Sequence, residues 1–490
     1  MIRFSVLIAL LSFLPTFTSN TSANERPNII VVLCDDLGYG DLRCYGNKEL
    51  QTPNIDKFAA EGLKFTDCYS ASPNCSPART GLMTGRTPYR VGVHNWIPMF
   101  SPMHVSTWEI TIASLLQDSG YATCQVGKWH LNGRFNLKGQ PQPDDHGFDH
   151  WFATQNNCLP DHRFPWNFVR NGQPVGAIQN YASHIVTDEA IHWLNDVRDK
   201  SKPFFIYCNY HEPHEPIASA KQYRDLYPSD DPRYTRHHAN ITQMDEAFGK
   251  LLASLEAQGH REETLIFFTS DNGPAITSLH PHGSAGPLRD KKGTVHEGGI
   301  RVPGIVQWPG KVNSGTVSDE PICGVDVLPT LCEVAGIETP QDRTLDGTSF
   351  LPALSGQAVK REKPLYWQFN RANTKWKVAL RSGDWKLVAT LTGSEWSRGG
   401  GIILEDELQM KKAELDTFEL YNLRKDIAET TDLKESEPDK FADLKQQMQA
   451  IYLDVREESP IWPDWDFAKY EGMKIREGKA ARKEAGWDDY

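Results

Sequence analysis

The sequence predicts an α/β fold, a large sheet flanked by helices, followed by a smaller antiparallel sheet. From about residue 27 to residue 309, short apolar runs alternate with longer amphipathic stretches, the order in which strands and helices follow one another. After about residue 356 the texture changes to more tryptophan, more charge and short strand-like pieces. The length of 490 residues also exceeds what one hydrophobic core supports, so a large domain and a smaller one are expected.

The chain opens on Arg3, an apolar run over 4–17 broken by Pro15, and a polar stretch ending Thr21-Ser22-Ala23. That is the layout of a secretory signal peptide, assigned to 1–23, with cleavage near Ala23. The run is short for a bilayer span, so the mature protein is expected to be exported, periplasmic or extracellular. Buried strands are expected at 28–34, 121–126, 204–210, 265–270 and 302–308, with helices at 54–61, 111–119, 183–199 and 234–258 between them. The catalytic domain is assigned to 24–355. The remainder, 356–490, holds strand-like pieces at 376–381, 385–389 and 418–423, a charged helix at 439–457, and a tail whose Trp462 and Trp465 are expected to pack on the domain surface.

The net charge of −12 argues against nucleic acid or an anionic membrane as the main partner, since both demand an excess of basic residues. An anionic substrate would need a local basic site. Nine cysteines are too few for a disulfide-built fold of this length, and the odd count fits one of them being chemically special.

In open α/β sheets ligands bind beyond the carboxyl ends of the strands, so the residues standing there carry the most information. The first strand ends in Asp35-Asp36, the second runs into Lys128 and His130, the third into His211 and His214, and the fourth into Asp271-Asn272. A fifth segment, 289–297, carries Lys292 before Gly298-Gly299. Asp35, Asp36, Asp271 and Asn272 offer only oxygens, a set suited to calcium first and magnesium second, and poorly suited to zinc or copper. Each taken singly is as well read as a cap or turn. Together, their like charges would repel unless a cation joined them. His211-Glu212-Pro213-His214 has its prolines against a helix and no third ligand at zinc spacing, so acid–base work is assigned to His214. Lys128 and Lys292 with Arg79 beside a metal would form a pocket for a tetrahedral anion.

The most informative segment is Cys75-Ser76-Pro77-Ala78-Arg79, extended by Thr84-Gly85-Arg86. Alone it is equally a small buried cysteine ahead of a turn. With Asp35-Asp36-Leu37-Gly38-Tyr39-Gly40, Thr52-Pro53-Asn54-Ile55-Asp56, Gly127-Lys128-Trp129-His130, Ser270-Asp271-Asn272-Gly273, Lys292-Gly293 and Glu297-Gly298-Gly299 in this order, the chain resembles the type I, formylglycine-dependent sulfatases over nearly its whole mature length. His146-Gly147-Phe148-Asp149, Phe267-Phe268-Thr269-Ser270 and Leu345-Asp346-Gly347 are most similar to the N-acetylgalactosamine-6-sulfatase group and its bacterial polysaccharide-degrading relatives.

The resemblance implies an alkaline-phosphatase-like fold with a large mixed sheet and a smaller C-terminal antiparallel one. It implies a formylglycine made from Cys75 by a maturation enzyme, whose hydrate is the nucleophile and forms a covalent enzyme-sulfate. Calcium would be held by Asp35, Asp36, Asp271 and Asn272, with the modified Cys75 adding an oxygen. Arg79 would hold the hydrate, Lys128 and Lys292 the sulfate oxygens; His130 would take the proton that lets sulfate leave, and His214 would protonate the departing sugar oxygen. His211 competes for that last role. The run Arg289-Asp290-Lys291-Lys292 departs from the usual glycine-rich approach, and Lys292 is chosen because Gly293 follows it. The implied substrate is a sulfated carbohydrate, attacked from a chain end, of galactose or N-acetylgalactosamine type. Two other readings stand beside it: a phosphomonoesterase or phosphodiesterase of the same superfamily, and a silent glycan-binding protein. Loops at 94–104, 156–170 and 278–286 are candidates to line the sugar site.

Overall fold

Eight successive buried residues, Asn28–Asp35, form the central strand β1. Ile29, Val31 and Leu33 join one hydrophobic cluster and Ile30, Val32 and Cys34 the other, so this strand is covered on both faces. The computed structural model describes residues 26–278, 280–370, 376–393, 401–467 and 469, so the segment assigned as a signal peptide lies outside them.

Nine further strands complete the sheet: β2 (Leu63–Phe65), β3 (Ala122–Lys128), β4 (His150–Thr154), β5 (Val169–Arg170), β6 (Gln173–Pro174), β7 (Phe204–Pro213), β8 (Thr264–Ser270), β9 (Gly304–Gln307) and β10 (Thr316–Ser318). Their order is β10-β2-β9-β8-β1-β7-β3-β4-β5-β6. The central run β8-β1-β7-β3-β4 is parallel. Antiparallel neighbours flank it on both sides, making the sheet mixed. The parallel run brings the carboxyl ends of β1, β3, β7 and β8 to one edge, where ligands bind in such sheets.

Four helices matter for the site. The helix α1 (Cys75–Thr84) is buried along its whole length. Helices α2 (Ala182–His192) and α3 (Pro232–Ala257) cover the face that carries Ile30 and Val32, through Ile185, Val186, Met244, Phe248 and Leu251. The helix α4 (Pro438–Glu458) packs against the strands 377–382 and 385–391 of the smaller sheet, burying Leu444, Met448 and Val455. The helix expected over 183–199 ends early: past His192 the backbone loosens into a wider turn over Trp193–Val197. Among the described residues no helix is long and apolar enough to cross a membrane.

A second sheet, antiparallel, is built from β11 (Leu365–Phe369), β12 (Lys377–Ser382), β13 (Trp385–Leu391) and β14 (Leu415–Asn422) in sequential order. Buried ion pairs bind it to the large sheet's loops: Lys386 on β13 lies 2.8 Å from Glu297 and Arg381 on β12 lies 2.7 Å from Asp67, while Glu429, just past β14, lies 2.9 Å from Lys386. Trp462 and Trp465 donate indole hydrogen bonds to the carbonyls of Gly92 and Ile402, as structural packing of the tail requires. All nine cysteines are free.

Candidate active site

At the carboxyl edge of the sheet, three carboxylates meet three cations. Lys128, the last residue of β3, places Nζ 2.5 Å from Asp35 Oδ2. Lys292 reaches Asp36 Oδ1 at 2.6 Å. Arg79 donates from Nε and Nη2 to Asp271 Oδ2 at 3.1 and 2.8 Å, and from Nη1 to Asn209 Oδ1 at 3.0 Å. The expected mutual repulsion of the acids is thus already balanced by this chain's own bases. Burial opposes ionisation of Asp35, but Lys128, His214, Arg79 and Lys292 outweigh it and hold its carboxyl well below the usual range. Burial likewise opposes the charge on Lys292, and Asp36, Cys75, Asp35 and Asp271 overcome it, raising the ammonium well above its ordinary value.

The backbone is bent to achieve this. Asp36 and His130, each just past the end of a strand, have φ of 65° and 59°, in the left-handed region that costs a non-glycine residue about 1–2 kcal/mol. Gly127 is required between β3 and β7, because a Cβ there would stand 1.8 Å from the Asn209 carbonyl oxygen.

The residues fit a hard cation. Asp35 Oδ1, Asp36 Oδ2 and Asn272 Oδ1 are buried and have no hydrogen-bond partner among the described residues, which is costly unless something else satisfies them. Ligand atoms of Asp35, Asp36, Cys75 and His214 lie within 4.8 Å of one another. Asn272 adjoins them, its amide nitrogen donating to Asp36 Oδ1 at 2.6 Å. Asp271 stands one step back: its Oδ1 accepts from the Asp36 N–H at 3.2 Å while Oδ2 is taken by Arg79. His214 was assigned to proton transfer, and its place beside Asp36 Oδ2 at 3.6 Å puts it at the edge of the same oxygen cluster.

Cys75 is the first residue of α1, capped by Asn74, whose Oδ1 accepts from the Cys75 N–H at 2.8 Å and lies 3.4 Å from Sγ. Burial pushes the thiol up to about 11, with Lys128 and Lys292 pulling the other way. An unmodified thiol at this position stays protonated near neutral pH, and so is a poor nucleophile.

The two histidine candidates separate cleanly. His211 is buried against Thr154, its Nε2 2.8 Å from Oγ1, and does not line the cavity. His214 does, together with Cys75, His130 and Lys292. The His214 Nδ1–H donates to the Glu215 carbonyl at 2.6 Å, leaving Nε2 as the working nitrogen. Burial holds this imidazole down to about 4, against the pull of Asp35 and Asp36. The His130 Nε2–H donates to the Ile97 carbonyl at 3.1 Å, which makes Nδ1 the basic nitrogen of the neutral ring.

The cavity above these groups has a volume of about 590 Å³. The loops at 94–104 and 156–170 contribute Asn95, Trp96, Asn156 and Asn157 to its wall. No described residue of the loop at 278–286 lines it; the wall there is made by Ala275, Ile276 and Thr277. Asn95 falls in the loop at 94–104 already expected to line the site, whereas sequence reasoning missed Asn74, Asn209 and Glu215. Their only signal was position, next to Cys75 or on and just beyond β7.

A family description named Sulfatase matches residues 27–337, and a second, N-sulphoglucosamine sulphohydrolase, C-terminal, matches residues 288–397. The N-acetylgalactosamine-6-sulfatase of Rattus norvegicus is 34% identical over 401 residues, covering 76% of this chain and 73% of that one. Arylsulfatase A of Homo sapiens is 31% identical over 417 residues, covering 79% of each. Among solved structures, Ps i-CgsB in complex with k-i-k-neocarrahexaose aligns with a TM-score of 0.77 at 27% identity, over 95% of this chain and 100% of that chain. The PsFucS1 sulfatase from Pseudoalteromonas sp. aligns with a TM-score of 0.73 at 26% identity, over 90% and 92%.

Proposed function

The chain belongs to the sulfatase family, and from that premise we propose that it is an exported, calcium-dependent enzyme removing sulfate from a sulfated carbohydrate. It is a sulfuric ester hydrolase with the alkaline-phosphatase-like fold of that family. The observation that carries the site assignment is the meeting of Cys75, His130, His214 and Lys292 in one cavity above three orphaned buried oxygens. Support for a sugar of galactose or N-acetylgalactosamine type comes from the relatives named N-acetylgalactosamine-6-sulfatase and from the neighbour crystallised with k-i-k-neocarrahexaose.

Asp35, Asp36 and Asn272 would hold calcium, with Asp271 completing the set and the side chain at 75 adding an oxygen. Calcium would supply positive charge to the sulfuryl oxygens, and formylglycine made from Cys75 by a maturation enzyme would supply a hydroxyl nucleophile. Lys128 and Lys292 bind the remaining sulfate oxygens; a fixed array of donors aimed at developing charge is the largest catalytic term in such sites. Arg79, locked by Asp271 and Asn209, keeps the residue at 75 in place. His130 Nδ1 takes a proton from the side chain at 75. His214 Nε2 gives one to the departing sugar oxygen; an anionic sulfate beside it raises its proton affinity above that of the empty site. Export would follow from the segment 1–23, placing the enzyme in the periplasm or outside the cell.

The test is release of free sulfate from a panel of sulfated mono- and oligosaccharides by protein made with a formylglycine-generating enzyme. Sulfate release from a galactose- or N-acetylgalactosamine-type member supports the reading; hydrolysis of phosphate esters alone would refute it.

A further inference from the structure

The lining of the cavity carries a set of unspent polar groups. Asn95 is fully buried, its amide oxygen accepts from Asn74 Nδ2 at 2.7 Å, and its amide nitrogen has no partner among the described residues. Asn156 and Asn157 each have an amide oxygen in the same condition. Trp96 and Phe369 add apolar faces of the kind on which a sugar ring rests. One donor and two acceptors in a largely preformed cavity suit the hydroxyls and ring oxygen of a sugar.

The charge on this wall is distinctive. Glu215 is the one acidic residue among the described residues lining the cavity. Its side chain is 40% exposed, and Oε2 lies 3.4 Å from His280 Nε2. Burial holds His280 down to about 4, so at neutral pH this ring is uncharged and leaves the carboxylate's charge standing. Burial raises the Glu215 carboxyl above its ordinary value and the Lys292 ammonium pulls it back, although the close partner of Lys292 is Asp36 Oδ1 at 2.6 Å and Lys291 donates to the Ile276 carbonyl. The Glu215 backbone is fixed as well, because its carbonyl receives the His214 ring.

Resting on the carbohydrate-sulfatase reading above, we propose that Glu215 determines specificity by admitting a sulfated neutral or N-acetylated sugar and rejecting a sulfated uronic acid. A sugar hydroxyl donates to this carboxylate; a second carboxylate in the same place is repelled. In a partly desolvated cavity that repulsion amounts to roughly 10- to 100-fold in kcat/KM.

The experiment uses the matured full-length enzyme and matched pairs of monosaccharide sulfates, hexose and uronic acid, sulfated at the same ring carbon, with an aryl sulfate as a third substrate. The wild type is expected to favour the hexose member by about 10-fold or more. Glu215→Gln should shift the hexose-to-uronate ratio of kcat/KM about 10-fold towards the uronate, lowering the hexose value as its hydroxyl loses a charged acceptor. Glu215→Asp, which keeps the charge, should keep the discrimination, and thermal melting checks that both variants fold. Equal wild-type turnover of the pair, or an unchanged ratio in Glu215→Gln, overturns this inference alone. Hydrolysis of the aryl sulfate with no sugar sulfate hydrolysed overturns it together with the carbohydrate reading.

Discussion

Lys128 Nζ lies 2.5 Å from Asp35 Oδ2, while Oδ1 of the same carboxylate has no hydrogen-bond partner among the described residues. One oxygen thus answers to Lys128, and the other faces the cluster where we propose that calcium is held. Calcium titrated into the purified protein should raise the melting temperature by mass action, and Asp35→Asn should abolish that rise. An unchanged melting temperature at millimolar calcium in the wild type would argue against a calcium site here.

His214 and His211 stand three residues apart and should behave differently when replaced. His214→Ala is expected to lower kcat by about 10²- to 10⁴-fold with little change in stability, the usual size of a lost proton donor. His211→Ala, which empties a buried position against Thr154, should instead lower the melting temperature more than it lowers the rate per folded molecule.

The buried His146 ring offers a prediction about pH. Burial holds its pKa down to about 4, so folding favours the neutral ring. Its contribution to stability is therefore complete above the unfolded value near 6.5 and is lost progressively as pH falls towards 4, on the order of 3 kcal/mol at most. Urea denaturation from pH 7 to pH 4.5 should show this loss, and His146→Gln should flatten the slope.

Much of the fold was legible because β1, β7 and β8 carry near-continuous apolar runs, the mark of strands covered on both faces. The short antiparallel edges β5 and β6 were not: two-residue strands such as Val169–Arg170 carry no period to detect. In the site, charged residues after apolar strands were conspicuous, whereas Asn209 is a single amide inside an apolar strand and nothing in sequence tells that it holds Arg79. The choice between His211 and His214 needed three dimensions, since both follow the same strand core and only the fold decides which ring meets Asp36.

Lys386 is the one cation within 3 Å of both Glu297 and Glu429 among the described residues, and Glu297 closes the segment that begins at Lys292. Lys386→Met would leave the buried Glu429 carboxylate without this cation, while Glu297 keeps Arg301 at 3.2 Å and the Tyr69 hydroxyl, at a cost of about 3–5 kcal/mol. Urea denaturation should show that loss. Sulfate turnover should fall as well, because the Lys292 loop leans on this network. Unchanged stability would mean that the second sheet is not bound to the site through these charges.

The most direct test of the central claim is mass spectrometry of the tryptic peptide 65–79, which holds Cys75, measured alongside sulfate release on the same preparation. The aldehyde form should be present in active protein, its fraction should scale with the rate, and Cys75→Ala should be folded and inactive. Full activity in protein whose peptide carries only the unmodified thiol would contradict the account.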